Sequence, residues 1–222
     1  MSKDQIKIDC ISDLHGFMPD LEGGDLLIVA GDLTERDTGN DWMSVCIWMM
    51  NQKYKKIIVV AGNHDNSLMW NKTCVVIDED HDTKIQYLCD SGTEFEGLKI
   101  WGTPWTKSFK GMNPKCKAFT LDTEEDLDEK WKLIPSDIDI LITHEPPQGI
   151  LDQVRYYESC IHVGSKSLRN HVIGRIKPKL HVFGHIHEFG GRMVDLTIIK
   201  FVNASIMDEV YDPVHNPVRV IL

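Results

Sequence analysis

The chain has no C-x-x-C pair: its six cysteines, Cys10, Cys46, Cys74, Cys89, Cys116 and Cys160, stand apart from one another. Zinc knuckles and ribbons need cysteines at ligand spacing, so that class of site is excluded. The first ten residues, MSKDQIKIDC, lack the apolar stretch of a secretory leader. The expectation is a cytoplasmic protein with reduced thiols, most of them buried as small apolar groups. Long apolar runs are missing too. IIVVA falls far short of the roughly 20 residues that cross a bilayer, so no membrane association is expected. No Pro-, Gly- or Ser-rich linker and no internal repeat divides the chain, so residues 1–222 are read as one domain. An excess of positive charge is also absent: 24 Lys and Arg face 34 Asp and Glu, a formal net charge of −10. Such a surface repels polyanions, so long nucleic acid is not an expected partner. Bound cations can reverse the local field, which leaves small anionic substrates open.

What is present is a run of short, β-branched strands, each followed by a polar loop. IKIDCI (6–11), DLLIVA (25–30) and KKIIVVA (55–61) read as buried parallel strands. Between the last two, a helix capped by Asn40 is predicted to about residue 52, with Trp42, Val45, Cys46 and Met49 at helical spacing. Residues 85–105 read as an antiparallel meander, and 107–117 as an irregular basic loop. Thr123 caps a helix with acids in its first turn, and Ser165 begins another to about residue 176. Further strands are predicted at 137–143, at 179–183 and in the tail. Parallel β-α units followed by a strand-rich portion suggest two sheets packed face to face with helices outside.

Five loops carry polar residues just after these strands: Asp13 and His15 in SDLHG, Asp32 in AGDLT, Asn63, His64 and Asp65 in AGNHD, His144 in THEPP, and His185 and His187 in GHIHE. Ligands of open α/β sheets bind outside the carboxyl ends of the strands, where all five loops are expected to gather. Carboxylate, imidazole and amide donors together suit Mn²⁺, Fe or Zn²⁺ rather than Ca²⁺. Among the other histidines, His181 is expected to be packed inside a strand, and His81, His171 and His215 to lie on the surface. Trp101 and Trp105 are read as core or rim packing.

Five motifs in this order, from Asp13 to about Gly190, resemble the calcineurin-like metallophosphoesterases. THEPPQGILD, HVGS and KPKLHVFGHIHEFGG are most similar to the small phosphodiesterase-type branch, which includes class III cyclic-nucleotide phosphodiesterases. The resemblance implies an α/β fold, a four-layer α/β/β/α sandwich of two mixed sheets with flanking helices, and two divalent ions, Mn²⁺ foremost. It implies Asp13, His15 and His187 on the first ion, Asn63, His144 and His185 on the second, and Asp32 between them. His64 would face the substrate phosphate, with Asp65 orienting it. The implied reaction is hydrolysis of a small phosphate ester, preferably a diester, by in-line attack of a metal-bridging hydroxide. A phosphomonoesterase, a nuclease and a metal-binding interaction scaffold are the alternatives. Two departures stand out. HVGS replaces the expected HVGC, and GDLTERD lacks the glycine of the phosphatase motif GDxVDRG. Arg36, at the spacing of a phosphate-binding arginine, and His162, near the loop after PPQGILD, are the candidate substrate contacts.

Overall fold

The computed structural model describes residues 5–70, 84–109, 111–157 and 159–222. The predicted surface His81 lies outside them, as does Cys74. Chain order gives β1 (Lys7–Ile11), β2 (Gly24–Ala30), α1 (Gly39–Asn51), β3 (Tyr54–Val60), α2 (Asn66–Trp70) and β4 (Ile85–Tyr87). Then follow β5 (Ser91–Phe95), β6 (Leu98–Thr103), β7 (Thr106–Lys107), β8 (Thr120–Leu121), α3 (Glu124–Trp131) and β9 (Ile140–Thr143). The remainder is β10 (Gln153–Tyr156), β11 (Ser159–His162), α4 (Lys166–His171), β12 (Leu180–Phe183), β13 (Arg192–Asp195), β14 (Lys200–Asn203) and β15 (Val218–Ile221).

Two mixed sheets result, in the orders β15-β1-β2-β3-β4 and β13-β14-β12-β9-β6-β5. Strand periodicity explains how they stack. Ile8, Cys10, Leu26, Ile28, Ile58 and Val60 point from the first sheet onto Ile100, Ile140, Ile142, Leu180, Val182 and Val202 of the second. The alternate residues Leu27, Val29, Ile57 and Val59 pack under Trp42, Val45 and Met49 of α1. On the far side, Leu141, Phe183 and Phe201 pack under Leu127 and Trp131 of α3 and Leu168 of α4. The layers are therefore α/β/β/α, as expected, and the central strands are apolar on both faces because both are covered.

Two local expectations are corrected and a third is refined. Thr38, not Asn40, caps α1: its hydroxyl accepts from the Asp41 amide while the Asp41 carboxylate accepts from the Thr38 amide. This reciprocal Thr-x-x-Asp pair satisfies two end donors at once. Residues 85–105 are not one meander. β4 runs parallel to β3 in the first sheet, and the chain then crosses to the second, where β5 and β6 form an antiparallel hairpin and β6 runs parallel to β9. The helix capped by Ser165 reaches residue 176, but its last turn is widened, with the Lys177 amide donating to Val172 O at 2.8 Å.

Candidate metal centre

All five polar loops leave carboxyl ends of strands: β1, β2 and β3 of one sheet and β9 and β12 of the other. The first two are zipped together by Asp13 N to Gly31 O (2.9 Å), His15 N to Asp32 O (3.0 Å) and Gly16 N to Leu33 O (3.1 Å). Asp13, His15, Asp32 and His185 all have positive φ, 54°, 41°, 55° and 69°. Non-glycine residues adopt that region at a cost, and clusters of such strain mark sites held for function. The glycines before two of them are there for space. A Cβ on Gly184 would lie 2.0 Å from Ser12 Oγ and 2.3 Å from Asp13 Oδ2, and one on Gly31 would lie 2.4 Å from His144 Nδ1.

Each donor is aimed by its second polar atom. His144 Nδ1 bonds Ala30 O at 2.7 Å, which turns Nε2 inward, 3.3 Å from Asp32 Oδ2 and 3.2 Å from Asn63 Oδ1. Asn63 in turn gives its Nδ2 to Cys116 O at 3.2 Å, leaving its oxygen for the site. His187 Nδ1 bonds Asp208 O at 2.9 Å, and Nε2 faces Asp13 Oδ1 at 3.4 Å. Asp32 is central: Oδ1 accepts the His64 amide at 2.8 Å, and Oδ2 lies 3.9 Å from Nε2 of both His15 and His64. His185 anchors through its amide to the Asp13 carboxylate, and its ring stands 5.1 Å from that of His144.

Among the described residues, three groups bring ligand atoms within 4.8 Å of one another: Asp13, His15 and His187; His15, Asp32 and His64; and Asp13, Asp32 and His144. His64 thus joins one such group, although its expected role is catalytic.

The donor set fits divalent cations. Burial lowers His15 to about 4, against the pull of Asp32, and lowers His185 to about 3, so both rings are neutral and carry a free lone pair at pH 7. His15 Nε2 is buried with no hydrogen-bond partner among the described residues. A buried orphan of this kind calls for a ligand. Burial alone would raise Asp13 and Asp32, but the surrounding imidazoles outweigh it and hold both carboxylates below their usual range. Two buried negative charges need a positive partner. The polypeptide supplies one by raising His144, against its burial, to about 10 beside Asp32. A cation can take over that role and release the proton.

The remaining candidates are placed less centrally. The Asp65 carboxylate accepts the amides of Gly62 (2.8 Å), Asp32 (2.9 Å) and Leu33 (3.0 Å), so it fixes loops rather than reaching toward the His64 ring. Arg36 is exposed, pairs with its neighbour Glu35 at 2.9 Å, and lies outside the cleft lining. His162 is also outside that lining; it faces the other side of β11 and bonds Asp152 at 2.5 Å. Trp105 is rim packing, its Nε1 on Asp90 and its ring under Lys130. His181 is buried as expected. His171 and His215 are partly buried rather than fully exposed. His171 bonds Asp128, and His215 is packed against Gly190 and Gly191.

The cleft above the donors has a volume of about 590 Å³. Its walls were not legible in the motifs: Val154, Tyr156 and Ile161 from the β10–β11 hairpin, with Phe109, Lys107 and Tyr211. Only the alternation in QVRY and SCIH hints at the hairpin, and nothing in the sequence around Tyr211 marks it.

Carboxylate, imidazole and amide donors gathered at the strand ends of an α/β/β/α sandwich define a metallophosphoesterase. The chain belongs to the calcineurin-like phosphoesterase family, whose pattern it matches over residues 6–189. It is 36% identical to human metallophosphoesterase domain-containing protein 1, over 95% of this chain and 69% of that protein. A UPF0046 protein of Caenorhabditis elegans is 32% identical over 96% of this chain and 80% of its own length. In fold alone, the chain resembles the solved phosphopantetheinyl hydrolase of Mycobacterium tuberculosis. The TM-score is 0.57 at 16% identity, covering 94% of this chain and 92% of the other. No helix among the described residues is long and apolar enough to cross a membrane.

Proposed function

We propose that this chain is a manganese-loaded, cytoplasmic hydrolase of small phosphodiesters, cyclic nucleotides among them. The observation that carries this reading is the convergence of Asp13, His15, Asp32, His64, His144 and His187 in groups whose ligand atoms lie within 4.8 Å of one another, with Asn63 and His185 beside them, beneath a cleft of mixed polar and apolar walls. Asp13, His15 and His187 would hold one ion, Asn63, His144 and His185 the other, with Asp32 between them. Such ions supply a lowered pKa for bound water and neutralise charge on the phosphoryl oxygens.

The chain's own groups do the rest. Phe109, Val154 and Ile161 line the cleft and present apolar surface to the bound ester. A water that has lost one proton to solvent bonds through its oxygen to phosphorus, the ester P–O bond breaks, and His64 gives its proton to the departing oxygen. The Asp32 carboxylate holds the His64 backbone in place through the His64 amide.

Preference for diesters follows from charge. A monoester dianion gains most from an added cationic clamp, whereas a diester needs more help with its leaving group. Arg36 is paired with Glu35 and is not part of the cleft lining. Lys107 lines the cleft but lies 3.5 Å from Glu124, which offsets its charge and leaves phosphomonoesterase as the second reading. The test compares kcat/KM for bis-nitrophenyl phosphate and nitrophenyl phosphate after manganese loading. A higher value for the diester is expected, and a clear monoester preference lost in Lys107→Ala reverses the assignment.

A further inference from the structure

After β14 the chain returns over the metal-ligand cluster before forming β15, and this return loop carries Tyr211. Tyr211 has φ of 66°, a left-handed conformation that a bulky side chain rarely adopts. The loop is built to hold it there. The Asp208 carboxylate accepts the amides of Val210 (3.0 Å) and Asp212 (2.9 Å). The Tyr211 amide donates to Asp208 O at 3.0 Å. That same carbonyl receives Nδ1 of His187, so the loop and the His187 ring are oriented by one atom.

The Tyr211 ring stands edge-on to His15, at 4.7 Å between centroids, and to His187, at 5.0 Å, with His64 6.4 Å away. The residue lines the cleft and is half exposed. Among the described residues no hydrogen bond uses its hydroxyl. A strained backbone, a ring fixed on the ligand histidines and a free polar tip in the cleft are what a pre-positioned donor requires.

We infer that the Tyr211 hydroxyl donates a hydrogen bond to a phosphoryl oxygen of the ester bound over the histidine cluster, making it a further catalytic residue. The phosphoester reading of the site supplies the substrate class, and the inference rests on it for that alone. Neither the spacing of the five motifs nor Arg36 provides such a donor at this wall of the cleft. Tyr211 supplies it without adding charge, which suits a diester monoanion.

Tyr211→Phe keeps the ring on His15 and His187 and removes only the hydroxyl. Manganese-loaded wild type and variant are titrated with inorganic phosphate by calorimetry, then assayed on bis-nitrophenyl phosphate. Manganese content and thermal midpoint should be equal. Phosphate affinity should fall about threefold or more, and kcat/KM about 10–100-fold, as for loss of one oriented donor. A smaller loss of phosphate affinity overturns the inference and leaves the ring as packing. So does a wild type that binds no phosphate, or a variant that loses manganese, which would assign Tyr211 to holding His187. A wild type that binds phosphate but cleaves neither ester sinks the hydrolase reading, while the titration still decides the role of Tyr211.

Discussion

Asp32 faces Nε2 of His15, His64 and His144 from one carboxylate oxygen, while its other oxygen accepts the His64 amide. Asp13 faces His187 and His144 from the other side of the cluster. Removing the shared carboxylate should therefore cost both ions, and removing a peripheral ring only one. Asp32→Ala is expected to retain almost no manganese after desalting, whereas His187→Ala keeps about half of the two-ion content. Elemental analysis reads this directly, and equal losses in the two variants would remove Asp32 from the centre. His64 is different, because it lines the cleft but is not among the residues proposed to hold either ion. His64→Ala should keep both ions and lose turnover by about 10²–10⁴-fold, the usual worth of a general acid. With a nitrophenolate leaving group, which needs little protonation, the deficit should shrink. A deficit that is the same for an alkyl ester and a nitrophenyl ester would take the proton-transfer role away from His64.

At the scale of elements, the site is a set of loops that must be pinned to one another, and Asp65 is the pin between the β2 and β3 loops. Asp65→Ala leaves the amides of Asp32, Leu33 and Gly62 without their acceptor. Each buried unmet donor costs about 1–3 kcal/mol, so a loss of roughly 3 kcal/mol or more is expected in urea unfolding. Asp65→Asn, which keeps one acceptor oxygen, should lose less. Full stability with turnover abolished would return Asp65 to a catalytic role. The same view explains what could be read in advance. Strands such as DLLIVA and KKIIVVA were legible because both faces are covered and the apolar run is unbroken. The loops after them were legible because ligand chemistry demands particular residues at fixed offsets. The hairpin β10–β11 was not, because its residues Arg155, Tyr156 and Ser159–His162 are exposed and carry no sustained apolar pattern. The crossing from β4 to β5 was not either, since adjacent strands in sequence usually pair, and nothing in IQYLCDSG marks a change of sheet. Tyr211 escaped notice because its position depends on Asp208, a loop acid with no periodic context.

The whole molecule is tied from end to end. β15 pairs antiparallel with β1, and Arg219 grips Asp9 through Nε and a terminal nitrogen, both at 2.8 Å. On the opposite sheet, His181 in β12 is fully buried beside Phe183 and Phe201. Its protonation state follows from its neighbour. The Thr143 hydroxyl has one proton and donates it to Glu145 O at 2.6 Å, so at 2.9 Å it must accept from His181 Nε2. Nδ1 is then an unprotonated nitrogen without a partner among the described residues. A proton added there would be buried unpaired, and burial accordingly lowers His181 from 6.5 to about 3. Above pH 6.5 the ring is neutral in both folded and unfolded chains and contributes nothing to pH dependence. Between 6.5 and 3 the unfolded chain takes up a proton that the folded one refuses, so stability falls as pH falls. Below 3 the penalty stops growing. At pH 5, 1.5 units below the unfolded value, this single group should cost about 2 kcal/mol. His181→Gln retains a donor for Thr143 and cannot titrate. It should be less stable than wild type at pH 7.5 but lose about 2 kcal/mol less between pH 7.5 and 5 in urea unfolding. Contributions from groups far from residue 181 are common to both proteins and cancel in that difference. Parallel pH profiles for the two proteins would mean that His181 is protonated in the folded chain, and that the Thr143 hydroxyl is not committed to Glu145.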